Sequence, residues 1–229
     1  HVFSASLPCI QPIDALALTD SIAPRDVQRL TRRFAARARA NIALLALNSF
    51  RHHHALCSIA VPNERRIHVG YISSNFWTHS IRHLFAPLFK YHDMTRFCVT
   101  CYSLSPLDQL DQEGAQFVRS ECELAGTFKD LSRITAKEAA SAIHADGVHI
   151  LAHLDGHTAH AHNEILALRP APIQLTFVLG FHGTCGADYL GYLVADRVVL
   201  GPPKPPGAPG TQYDIDECAL LLPDSCILN

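Results

Sequence analysis

The sequence is short of several things that would announce a function. No apolar run approaches the ~20 residues that cross a bilayer, and the first residues lack the charged-then-apolar pattern of a signal peptide. GxGxxG and GxxxxGK[ST] are both missing, so dinucleotide cofactors and P-loop chemistry have no support. There is little net charge: the formal value is -2, which gives no global pull toward nucleic acid or an anionic membrane. The eight cysteines are scattered without paired knuckles, as free thiols would be. Cys98 and Cys101 lie in the strand-like run FCVTCYSL, where residues three apart point to opposite faces, which argues against a redox pair. These absences lead to an expected cytosolic or nuclear location. The chain begins at His1 rather than methionine, so its reading frame is expected to extend upstream.

What is present is a core-forming composition, 48% hydrophobic over 229 residues. Residues 24–48 read as a helix, with Pro24 suited to a first turn and Val27, Leu30, Phe34, Ala38, Ile42 and Leu45 at three- and four-residue steps. Its arginines, from Arg25 to Arg39, read as a solvated face. Strands are expected at 67–73, 97–104, 127–131, 148–154, 173–179 and 189–195. Helical segments are expected around 80–91, 109–123, 135–145 and 160–168. This alternation implies βαβ crossovers and an α/β, Rossmann-like lobe: a mostly parallel sheet with helices on both faces, preceded by a helical segment. The expected organisation is a helical lead-in over 1–64, the lobe over 65–200, and a Pro/Gly-rich linker with a truncated tail over 201–229. GPPKPPGAPG, 201–210, opens that last part.

In open α/β sheets ligands collect beyond the carboxyl ends of the strands. Three segments fall there: SSNFWTHS, DGHTAHAHNE and GFHGTCGAD. Gly180, Gly183 and Gly186 could let backbone approach a ligand closely or could only loosen a connection. His79 stands in or near a helix first turn. His153, Asp155, His157 and His160 look like zinc ligands, but their spacing fits neither HExxH nor a CxxC arrangement, and no metal is expected. The triplet His52–His54 reads as polar loop.

The combination LPCIQPIDALAL (7–18), RRIHVGYISSNFWTHS (65–80), CYSLSP (101–106), DGVHILAHLDGHT (146–158), NEILALRPAPIQ (163–174) and LGFHGTCGADYL (179–190) resembles the amino-terminal catalytic lobe of nucleocytoplasmic protein O-GlcNAc transferases. This is glycosyltransferase family 41, which includes the SPINDLY-type protein O-fucosyltransferases. The resemblance covers about residues 7–200. It implies a GT-B enzyme that transfers sugar with inversion from a nucleotide sugar to Ser or Thr of proteins, usually behind tetratricopeptide repeats. No cofactor or metal is implied; UDP-GlcNAc is the expected donor, and neither nucleic acid nor membrane is an expected partner. His79 matches the family's active-site histidine, and Leu179, Gly180 and Thr158 match donor-side positions.

Three departures stand beside the match. Asn75 occupies the place where the family generally has aspartate, a candidate base, and an amide cannot take a proton at neutral pH. QPID replaces a histidine-rich element near the N-terminus. His182 stands where the family has proline, with one residue inserted before Gly180. The implied second lobe, which supplies most of the nucleotide pocket and a diphosphate-facing lysine, is not in these 229 residues, so the chain by itself is expected to be inactive. Three alternatives stay open: a GDP-fucose donor, a non-catalytic scaffold descended from the family, and a metal-dependent hydrolase.

Overall fold

The computed structural model describes residues 12, 14, 23–52, 66–77, 79–123, 126–177, 181, 183–203, 205 and 214–225. A long helix, α1 (Pro24–Leu44), leads into the alternating run β1 (Ile67–Ser73), α2 (Ser80–Lys90), β2 (Phe97–Ser103), α3 (Gln112–Phe117) and β3 (Gly126–Asp130). Then follow α4 (Ala136–Ala145), β4 (Ile150–His153), α5 (Asn163–Ala167), β5 (Ile173–Phe177), β6 (Tyr192–Ala195), α6 (Arg197–Leu200) and β7 (Cys218–Leu221). The strands form one seven-stranded sheet in the order β3-β2-β1-β4-β5-β6-β7, and every pairing is parallel.

That order steps outward from β1 to β3 and then returns to the other side of β1 with β4. The reversal leaves a crevice between β1 and β4 that no crossover covers, the position where such sheets bind ligands. Ile72 pairs with His153 there, so the loops after the two strands leave the sheet side by side.

Both faces are covered, as the near-continuous apolar strands require. Alternation along each strand sorts the side chains. Val69, Tyr71, Val99, Cys101, Ala152 and Leu154 pack with Ile81, Phe85, Phe89 and Phe117 of α2 and α3. Ile72, Tyr102 and Leu151 point the other way, against α1, α4 and α5. Thr135 caps α4 through a reciprocal box with Glu138, which satisfies two terminal donors.

The arginines of α1 are exposed, as the sequence reading expected; two of them also reach partners, Arg32 gripping Asp216 and Arg39 gripping Asp188, and Asn41 donates to Glu164 Oε1 at 2.8 Å. Helical periodicity marks the polar face but not which of its charges meet a partner. The tail, expected outside the lobe, supplies β7, whose residues 218–221 pair with 192–195 of β6. Four residues are too short a run to carry a pattern, and the open edge of β6 decides their conformation. Among the described residues no helix is long and apolar enough to cross a membrane.

Candidate functional site

The loops after β1 and β4 meet in a buried polar cluster. Asp155 is 0% exposed, and its carboxylate accepts from Ser73 Oγ at 2.5 Å, Ser74 N at 2.6 Å, Ser74 Oγ at 2.9 Å and Asn75 Nδ2 at 2.9 Å. Four donors fill the acceptor positions of one carboxylate. The local cause is register: Leu154 N donates to Ile72 O, which carries Asp155 to the level of Ser73 and Ser74. Ser73 Oγ also accepts from Asn75 N at 2.9 Å, closing a serine turn. Ser105, after β2, donates to Ser74 O at 2.5 Å, so three strand-end loops are joined.

Asn75 is buried, and its amide nitrogen donates both to Asp155 and to Ser74 Oγ at 3.1 Å. It acts here as a donor that orients a carboxylate. The carboxyl group next to position 75 is that of Asp155, on the opposite loop, and it is enclosed.

His79 is the N-cap of α2. Its Nδ1 accepts from Ile81 N at 3.2 Å, so in the neutral ring Nε2 carries the proton. The ring is half-buried and lies 5.0 Å from that of Trp77, tilted by 51°. Phe76 before it is fully buried against Phe85 and Phe128. Gly114 of α3 seats this loop, since a Cβ there would lie 2.7 Å from Trp77 Cα.

Thr158 follows in the turn that begins at Asp155, its N–H donating to Asp155 O at 3.3 Å. Its hydroxyl is enclosed without a hydrogen-bond partner among the described residues. His157 donates from Nε2 to Cys185 O at 2.7 Å and meets Phe34 and Phe181 edge-on. Burial pushes its pKa down to about 4. His160 and His162 have left-handed backbones, φ 62° and 45°, with exposed side chains. A cavity of about 430 Å³ separates this loop from α1, lined in part by Phe34, Arg37, Thr158 and His160.

The histidine-rich run therefore does not converge. Asp155 is saturated by serine and asparagine donors, His157 is spent on a carbonyl, and His160 faces outward. Among the described residues no group of three His, Cys, Asp or Glu side chains is arranged to hold a metal.

Leu179, Gly180 and His182 lie outside the described residues, as do His53, His54 and, in QPID, Gln11 and Ile13. The end of the glycine-rich segment is described and is held from an unexpected direction. Thr184 Oγ1 and Cys185 N donate to Glu217 at 2.7 and 2.9 Å, and Thr184 Oγ1 accepts from Asp216 N at 3.0 Å. Glu217 is 4% exposed, and burial raises its pKa. Gly186, at φ +61°, lies against α1, where a Cβ would come 2.7 Å from Arg32 N. Glu217 escaped the sequence reading because it follows a proline-rich stretch and belongs to no motif. Asp155 was visible only as a misplaced metal ligand.

The sequence matches the model for glycosyl transferase family 41 over residues 4–204. It is 36% identical over 193 residues to the probable UDP-N-acetylglucosamine--peptide N-acetylglucosaminyltransferase SEC of Arabidopsis thaliana, covering 84% of this chain and 19% of that protein. To the UDP-N-acetylglucosamine--peptide N-acetylglucosaminyltransferase of Caenorhabditis elegans it is 41% identical over 140 residues, 61% of this chain and 12% of the relative. A solved structure, a mutant of the Thermobaculum terrenum O-GlcNAc transferase, superposes with a TM-score of 0.74 at 23% identity, over 94% of this chain and 37% of that one. The chain thus spans about a fifth or less of the curated relatives' length.

Proposed function

The chain belongs to glycosyl transferase family 41, and from that premise we propose that it is the N-terminal catalytic lobe of a protein O-GlcNAc transferase. The donor in this reading is UDP-GlcNAc, a substrate rather than a resident cofactor, and the acceptors are Ser and Thr hydroxyls of proteins. The observation that carries it is the joined β1 and β4 loops at the reversal of strand order, with Asn75, His79 and Thr158 all on that edge. GDP-fucose is the alternative donor.

In such a displacement the acceptor hydroxyl attacks the anomeric carbon as the nucleoside diphosphate departs. Developing charge then needs oriented donors. His79 supplies one: with Nδ1 engaged by Ile81 N–H, its Nε2–H is a donor toward a substrate oxygen. Asn75 does not take the hydroxyl proton, because an amide is not basic at neutral pH, and its Nδ2 donates to Asp155 and Ser74. Its part is to fix the loop that carries Trp77 and His79. Leu179 and Gly180 are assigned to the sugar side on the resemblance.

The test is transfer by the full-length protein from UDP-GlcNAc, and in parallel from GDP-fucose, to a protein acceptor, with the modified Ser or Thr located by mass spectrometry. Transfer from GDP-fucose alone would reassign the donor. Nucleotide-sugar binding without transfer from either would favour the scaffold reading, which the loss of a carboxylate at position 75 supports.

A further inference from the structure

We propose that Trp77 is the stacking platform for the pyranose ring of the donor sugar, with His79 as its hydrogen-bonding neighbour. The inference rests on the transferase reading above and adds to it the residue that recognises the sugar.

Trp77 is the only tryptophan in the sequence and is 40% exposed, whereas Phe76 beside it is fully buried. That exposure does not come from a slack loop. Phe76 is wedged 5.6 Å from the Phe85 ring and 5.1 Å from that of Phe128. From the other side α3 presses its backbone against Trp77 at Gly114, whose N–H is fixed at 2.9 Å on the capping carboxylate of Asp111. Two residues upstream, Asn75 is tied to Asp155. An indole 40% exposed is thus held at the surface by a backbone anchored on three sides, with part of its flat face open to a ligand.

The neighbourhood selects the occupant. The His79 ring stands 5.0 Å away, and its Nε2–H has no hydrogen-bond partner among the described residues. A flat apolar face next to a planar N–H matches a pyranose, which presents an apolar C–H face ringed by acceptor hydroxyls. A diphosphate is held by cations or by free N–H groups at a helix start, and at the start of α2 the Ile81 N–H is already taken by His79 Nδ1. The stretch from Ser73 to Ile81 contains no lysine or arginine, and Arg82 is turned onto Glu113 at 3.1 Å and the Phe117 ring. The loop is therefore built for the sugar rather than for the phosphates.

The experiment compares UDP-GlcNAc with UDP on the full-length protein, by calorimetry and by the emission difference between wild type and Trp77→Phe, which isolates Trp77 whatever other tryptophans are present. GDP-fucose and GDP form the matched pair if that is the donor bound. Trp77→Leu is expected to weaken binding of the nucleotide sugar about tenfold and to leave the free nucleotide unchanged, with Trp77→Phe within about threefold of wild type. The nucleotide sugar, but not the nucleotide, should alter Trp77 emission. Equal weakening of both ligands would mean base stacking and overturn the proposal. A rise in acceptor KM with donor binding unchanged would make Trp77 an acceptor contact and overturn it too, as would no change at all. Wild type that binds no nucleotide sugar would instead remove the transferase reading, and this proposal with it.

Discussion

Ser73, the last residue of β1, donates to Asp155 at 2.5 Å, joining the two strands between which the sheet reverses its order. Both residues are fully buried, so the bond exchanges no partner with solvent. It is the shortest of the four bonds that define the loop geometry on which Trp77 and His79 depend.

Asp155→Ala leaves Ser73 Oγ, Ser74 Oγ, Ser74 N and Asn75 Nδ2 without their buried acceptor. A loss of roughly 3 kcal/mol or more is expected. Urea denaturation of the variant beside wild type measures it; a loss under about 1 kcal/mol would show that the cluster is not what holds the loops.

Asn75→Asp sets a second carboxylate about where an amide now lies 2.9 Å from Asp155 Oδ1. Two such groups cannot both ionise at that distance, so one folded-state pKa is raised. Stability from that proton is present below the unfolded carboxylate range and is lost as pH rises through the raised value. Against wild type, the variant should therefore lose most Tm near neutrality and least at acid pH. Equal losses across the range would refute the shared proton.

Stability should fall between about pH 6.5 and pH 4 in step with His157. Its folded pKa of about 4 lies below the unfolded value, so the unfolded chain binds the proton first. The contribution is complete above the upper limit and declines by up to about 3 kcal/mol toward the lower. His153, whose pKa burial also lowers, acts with the same sign. His157→Gln should flatten the slope of stability against pH in this window, and an unaltered slope would exclude His157 as its source.

Glu217→Ala removes the acceptor of Thr184 Oγ1 and Cys185 N. We expect a loss of about 2 kcal/mol together with faster amide exchange at Cys185. Faster exchange spread evenly over the lobe would contradict a local staple.

Gly114→Ala favours the helix by propensity but pushes a methyl to 2.7 Å from Trp77 Cα and 3.0 Å from Phe76 O. The second effect should win, with destabilisation of about 1–3 kcal/mol and reduced transfer. A stabilised, fully active variant would show that the Trp77 loop can yield.

The sequence by itself determined the α/β class, six of the seven strands and the family. Ile67–Ser73 and Phe97–Ser103 are legible because both faces of a parallel strand are buried, which leaves continuous apolar runs, and Ala136–Ala145 because its capping residues are local. Such signals lie within a few residues of the structure they specify. Only the tertiary structure decided what the polar residues do. Asp155 and Asn75 are 80 positions apart, and Glu217 is 32 from Cys185. Hydrogen-bond partners at those separations follow from strand order and register, which the pattern of apolar residues does not encode. The same reason turned a run of histidines that resembled a metal site into one carbonyl ligand, one buried ring and two exposed turns.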